Sequence, residues 1–297
     1  MSASDITQIK YWNRICYVDI EMRNKKMKRF GIPDDGSSSF DVKFNVQTFV
    51  SNTVVEFSVS ITGLSVATIN ELTVWNTAEA YKKRRKIILY AGYKDGGISS
   101  PIAQGFIVNA IPTPPPNLTL NMKCIGNQST YSIVDSPVVL RDKTIQEIAQ
   151  FVADTLKMKL KWNVEKAKQD KVRAYTIEGS INQIFEKLKN SFDVVFQIRA
   201  DCLYVYDKAF YERSGGRNKP HVADMEHGLL ALGNITLKGA DITMRLNDKY
   251  RVTDFVRLES KLIPSGSGMY CISEIIHHGQ LRGNDWATEL HMIRPAK

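Results

Sequence analysis

The chain has 297 residues, 43% apolar and 24% charged, which fits two or three folded domains and excludes both a disulfide-dependent miniprotein and a disordered polyelectrolyte. Lys and Arg number 40 against 31 Asp and Glu, a net charge of +9, dense only in Arg23–Arg29 and Lys82–Lys86. That balance suits an acidic partner but specifies neither fold nor ligand.

Cys16, Cys124, Cys202 and Cys271 lie far apart with no CxxC pair, and three of them sit within apolar strand-like runs, where a free cysteine reads as a small buried hydrophobe suited to a reducing compartment. The N-terminus lacks a basic start followed by an apolar core, and no run reaches the ~18 apolar residues of a membrane span. The chain is expected to be neither secreted through a signal peptide nor membrane-embedded.

Residues 1–125 read as one β-rich unit. Phe40, Val42, Phe44 and Val46 alternate with Asp41, Lys43, Asn45 and Gln47, and Val55, Phe57, Val59 and Ile61 repeat the period of two, the mark of half-buried strands. A flexible loop is expected at Asp34–Ser39. Gly63-Leu-Ser65 then leads into a short helix, with Ser65 as N-cap, a candidate capping box at Thr68–Glu71, and Ile69 and Leu72 as anchors. The GxSxA shape around Ser65 lacks the second glycine of a nucleophile elbow, so capping explains it better than catalysis. Strands resume at 86–93, 102–111 and 118–124, and Pro112–Pro116 marks an edge or a connection.

Residues 126–228 contain an internal repeat. Thr144-Ile-Gln-Glu147 and Ser180-Ile-Asn-Gln183 are both capping boxes, and each opens a helix with apolar residues at the same offsets. Those residues are Ile145, Ile148, Ala149, Val152 and Leu156, then Ile181, Ile184, Phe185, Leu188 and Phe192. Each helix runs into an alternating strand, with Met158, Leu160 and Trp162 in the first and Val194, Phe196 and Ile198 in the second. After a strand at 202–206, the polar stretch 208–228 is expected to be a mobile loop or boundary.

Residues 229–297 read as a second β unit, with strands that could be shared with the middle region. Its last hairpin places Tyr270, Ile272, Ile276 and His278 on one face, and Trp286, Thr288, Leu290 and Met292 on the returning one.

Sites of chemistry are sparse. His277 and His278 are adjacent on a strand and point to opposite faces, so they do not converge with His291 on one metal. His221 and His227, with Asp224 and Glu226, read as a solvated loop. Phosphate-loop, dinucleotide and EF-hand signatures are missing from the sequence, so no enzyme, metal or cofactor is expected. The one candidate contact for a phosphate or an acidic partner is Lys82, Lys83, Arg84, Arg85 and Lys86. A solvated entry to a strand is the plainer reading of that run.

The hairpin pattern Tyr-x-Ile-x-x-Ile-x-His-x-Gly, Arg-Gly, Trp-x-Thr-x-Leu resembles the end of baseplate hub proteins from contractile-tailed bacteriophages. Ile61–Ser65, Tyr90-Ala-Gly-Tyr93 and Gln104–Val108 resemble the core of the first tail-tube-like barrel of the same family, and the α-β middle is similar to its middle region. The resemblance implies an α+β, β-dominated chain with two small antiparallel, tail-tube-like β-barrels and a middle α-β repeat region. It also implies a non-catalytic homotrimer in the virion tail baseplate, assembled in the host cytoplasm. The ring would join the central spike protein to the tail tube protein, contact other baseplate proteins and let genome DNA pass without sequence-specific binding. Two other readings compete with it: a nucleic-acid-binding adaptor using the basic run, and a LysM-like glycan-binding module suggested by Thr144–Ala149.

Overall fold

The computed structural model describes residues 13–32, 40–49, 55–73, 84–94, 98, 100–126, 133–164, 171–199, 202–207, 220–261 and 263–294. The loop expected at Asp34–Ser39 and the part of the polar stretch at 208–219 lie outside them.

The N-terminal strands are β1 (Arg14–Glu21), β2 (Met27–Ile32), β3 (Asp41–Phe49), β4 (Glu56–Thr62), β5 (Lys86–Tyr93), β6 (Ala103–Pro112) and β7 (Thr119–Ile125), with helix α1 (Val66–Leu72) between β4 and β5. The predicted alternation is present. Val42, Phe44, Val46, Phe57, Val59 and Ile61 are buried in one core with Val18, Ile20, Leu89 and Met122. Ser65 caps α1 by accepting from the Thr68 backbone at 3.2 Å. Thr68 therefore sits inside the helix, and the box expected at Thr68–Glu71 does not form. Glu71 instead accepts from the Arg23 backbone at 3.0 Å. The proline cluster falls where β6 ends and the chain turns towards β7.

The middle region holds β8 (Ile133–Lys143), α2 (Ile145–Thr155), β9 (Lys159–Asn163), β10 (Val172–Ser180), α3 (Ile181–Phe192), β11 (Val194–Arg199) and β12 (Cys202–Asp207). Both capping boxes form, around Thr144 with Glu147 and Ser180 with Gln183. The repeat extends to the helix ends, where Lys157 and Asp193 each take a left-handed conformation with φ of 56° and 58°, the geometry that closes a helix. Ile148, Val152 and Leu188 then share a core with Val194, Leu203 and Val205. β8 pairs with β10, while β12 lies between β11 and β9. Because β9 and β10 intervene between α2 and α3, the strand–helix–helix–strand order of a LysM module is not present.

The last strands are β13 (His221–Ala223), β14 (Leu229–Ile235), β15 (Gly239–Arg245), β16 (Phe255–Leu258), β17 (Gly268–Gln280) and β18 (Trp286–Ile293). They join the N-terminal strands in one 13-stranded sheet, whose main path runs β14-β15-β18-β17-β3-β4-β7-β6-β5-β1-β2. Within the polar stretch, where a mobile loop or boundary is expected, residues 221–223 form β13, which pairs in parallel with β16, and a turn at 224–228 leads into β14.

The 13-residue β17 makes the junction. Its first half pairs with β16, Cys271 opposite Phe255, and its second half pairs with β3, His277 opposite Val46. Tyr270, Ile272 and Ile275 fill the C-terminal core, whereas Trp286 at the start of β18 belongs to the N-terminal one. The hairpin differs from expectation on one strand. A register shift between Ile272 and Glu274 inserts one residue, so after it Ile275 and His277 are buried rather than Ile276 and His278. A bulge flips the facing of every residue that follows it. On β18, Trp286, Thr288, Leu290 and Met292 are all buried, as the alternation predicts.

Candidate assembly surfaces

Contacts far apart in sequence lock the C-terminal hairpin to the N-terminal unit. Leu281 donates its backbone N–H to Val42 at 2.9 Å. Gln280 Nε2 and the Arg282 N–H donate to the Asp41 carboxylate at 2.8 and 3.1 Å. Arg14 reaches the Gly283 carbonyl at 2.6 Å and lies over the Trp286 ring. Phe44 and Tyr93 meet the same indole edge-on, an arrangement that adds specific aromatic attraction to area burial.

A second bridge is polar. The Ser100 N–H donates to Asp248 Oδ2 at 2.9 Å, and Arg251 Nη2 donates to Ser100 Oγ at 2.7 Å. Arg251 Nη1 donates to the carbonyls of Tyr250 and Asp248. The Arg251 N–H donates to Asp254, which also contacts His221 Nε2 at 3.1 Å. Asp248 is buried and its partners are half-buried, positions where polar groups are costly unless satisfied, so the network favours one arrangement of the loop against the C-terminal unit.

Beside it stands His277, 5% exposed and bonded through Nδ1 to Thr288 Oγ1 at 2.9 Å. Burial, aided by the Arg251 charge, pulls its pKa from 6.5 down to about 3. It is a neutral core histidine. His278 faces the other way, between Asp285 and Glu289, and His291 meets Asp241 at 2.8 Å. The three histidines thus have separate partners. Among the described residues no group of three or more His, Cys, Asp or Glu is arranged to hold a metal ion.

The basic run is divided. Lys82 and Lys83 lie outside the described residues, Arg84 is 7% exposed, and Lys86 is exposed at the start of β5. Burial lowers the Arg85 pKa and nearby Arg23 lowers it further, while Glu71 and Glu21 oppose the shift. The Arg85 carbonyl accepts from the Ile107 N–H at 3.0 Å. Arg84 and Arg85 are therefore partly built into the sheet, and Lys86 is the described residue of the run most open to an anion.

Residues 17–291 match the family model described as "Baseplate hub gp41". The chain belongs to that family. The hub is accordingly a phage tail and baseplate structural component. Its fold is similar to the 43 kDa tail protein of prophage MuSo2 from Shewanella oneidensis, at a TM-score of 0.63 and 10% identity over 94% of this chain and 98% of that one. It is also similar to a tail protein from Neisseria meningitidis MC58, at 0.64 and 9% over 94% and 97%. A third relative in fold is the E. coli c3393 protein, a type VI secretion system component, at 0.62 and 10% over 88% and 75%. At these identities the likeness concerns the fold alone. No curated protein matches the hub by sequence. No helix among its described residues is long and apolar enough to cross a membrane.

Proposed function

We propose that three copies of this hub form a ring that joins the central spike to the tail tube and lets the genome pass through its middle. The observation that carries the reading is β17, which holds two β units in one continuous sheet. Three chains, each with two such units fixed to one another, present six, so a threefold spike can meet a sixfold tube without a change of protein. Closed cyclic assembly is the usual way for identical chains to make such an adaptor.

A polar sheet face suits the passage. His278, Asn45, Ser58 and Lys123 stand abreast on β17, β3, β4 and β7, opposite the buried face of the same strands. Some of its polar groups have partners on the same face, as in Asp241 with His291 at 2.8 Å and Glu274, which accepts from Gln47 at 2.7 Å. A wall of mixed polar groups, without a dense run of cations, would stay wet without gripping a polyanion. The spike, the tube and other baseplate proteins would then be partners, with Lys82–Lys86 a candidate contact for one of their acidic surfaces.

The test is the mass of the purified chain, alone and mixed with the spike protein, by light scattering across a range of concentrations. A trimer, or a 3:3 complex with the spike, is expected. A chain that remains monomeric in both conditions overturns the ring.

A further inference from the structure

The two dense basic runs of the sequence, Arg23–Arg29 and Lys82–Lys86, meet in the fold. β1 pairs with β5 up to Ile20 opposite Ile87, so the turn from β1 to β2 lies beside the residues that lead into β5. Two carboxylates tie this end together. Glu21 pairs with Lys25 at 2.9 Å and accepts from the Lys86 N–H at 3.2 Å. Glu71, in the last turn of α1, accepts from the Arg23 N–H at 3.0 Å. Arg29 is paired with Asp19, and Lys28 lies over the Phe30 ring. The side chains of Arg23, Lys26, Arg85 and Lys86 make no ion pair or hydrogen bond among the described residues. The surplus of charge at this end is therefore positive.

Arg85 differs from the other three. It is half-buried, and its Nη1 is buried with no hydrogen-bond partner, although Glu21 and Glu71 both act on its charge. A guanidinium nitrogen withdrawn from water without an acceptor is costly, and the two nearby carboxylates are already held by backbone N–H groups. The acceptor that fits it is a group brought from outside the chain. A guanidinium fork matches a carboxylate or a phosphate through two parallel hydrogen bonds, and Arg23 and Lys26, exposed in the β1–β2 turn, add attraction at the rim. The phosphates of a duplex lie on a broad convex backbone that does not reach a recessed group, and Glu21 and Glu71 would repel a continuous run of them. Slender Asp or Glu side chains on an acidic protein segment can reach Arg85 singly.

We infer that Arg85, with Arg23 beside it, is a carboxylate-binding site at this end of the N-terminal unit, taken by an acidic segment of another baseplate protein. The inference rests on the reading that the hub binds such partners, and it names the residues of one contact. The experiment is binding of a fluorescent oligoglutamate peptide to the full-length chain, read by anisotropy at low and at physiological salt. Arg85→Gln and Arg85→Lys are each expected to weaken binding at least tenfold, since lysine keeps the charge and loses the fork. Arg23→Gln, at an exposed position, is expected to weaken it by about threefold. Lys159→Gln combined with Lys161→Gln, on β9, controls for general charge and should leave binding unchanged. The thermal midpoints of the Arg85 variants should equal or exceed that of the parent chain, because no partner within the chain is lost. A parent chain that does not bind the peptide overturns the site, as does full binding by Arg85→Lys or an equal loss in the β9 control. A large fall in the Arg85 midpoints also overturns it, by showing that the arginine serves the fold. Duplex DNA that binds more tightly than the peptide, and loses as much in the Arg85 variants, assigns the surface to nucleic acid instead. The ring is judged separately: a trimer or spike complex without peptide binding removes the site alone, and a monomer that binds the peptide through Arg85 removes the ring alone.

Discussion

His277 and Gly279 show how single positions on β17 hold the junction. An imidazole with a pKa of about 3 in the fold and 6.5 outside it takes up its proton more readily in the unfolded chain. Stability is therefore complete above pH 6.5 and falls as the pH drops towards 3, by about 2 kcal/mol at pH 5. Urea unfolding at pH 7.5 and pH 5 should show that loss, and His277→Gln should remove most of it. An equal loss in the variant would mean that other groups cause it. Glu147, held down to about 2 mainly by Lys143, loses its contribution only below about pH 4.5 and does not confuse the window. At Gly279 a methyl group would lie 2.7 Å from Trp286 Cε3 and 2.8 Å from Phe44 Cζ, with both rings buried. Gly279→Ala is expected to cost about 1–3 kcal/mol by overpacking, read from the shift in the denaturation midpoint.

The elements of the middle region are the most autonomous. Each helix starts at a capping box, carries its apolar stripe at matching offsets and ends in a left-handed residue. Thr144→Ala and Ser180→Ala should each cost about 1 kcal/mol, and the double variant about the sum, since the caps share no partner. A double variant no worse than either single would show that the two helices do not contribute independently.

At the scale of the molecule, β17 makes two β units into one cooperative body. Strands β3 and β15 lie on either side of the β17–β18 pair, and neither can lose its neighbour without breaking the other unit. Hydrogen exchange should therefore report a common opening free energy for core amides of β3 and β15. A clear gap between them would show that the units open separately. The Ser100–Asp248–Arg251 network adds a second tie at a different point, so the relative placement of the units does not depend on one strand alone.

Period and punctuation determined much of this protein before any folding was considered. The alternation from Phe40 to Ile61, the paired capping boxes and the face of β18 are local patterns that follow directly from strand and helix geometry. The hairpin motif, with the α-β middle, was also sufficient to point to the hub family. Only the tertiary structure decided the rest. A single inserted residue at the β17 bulge reversed which histidine is buried, because strand facing depends on count rather than composition. The pairing of β17 with β3 joins residues more than 200 positions apart, a contact that no local pattern encodes. The same long-range packing buried Arg84 within a run that reads as a solvated cationic patch, since burial is set by what the fold brings alongside a side chain.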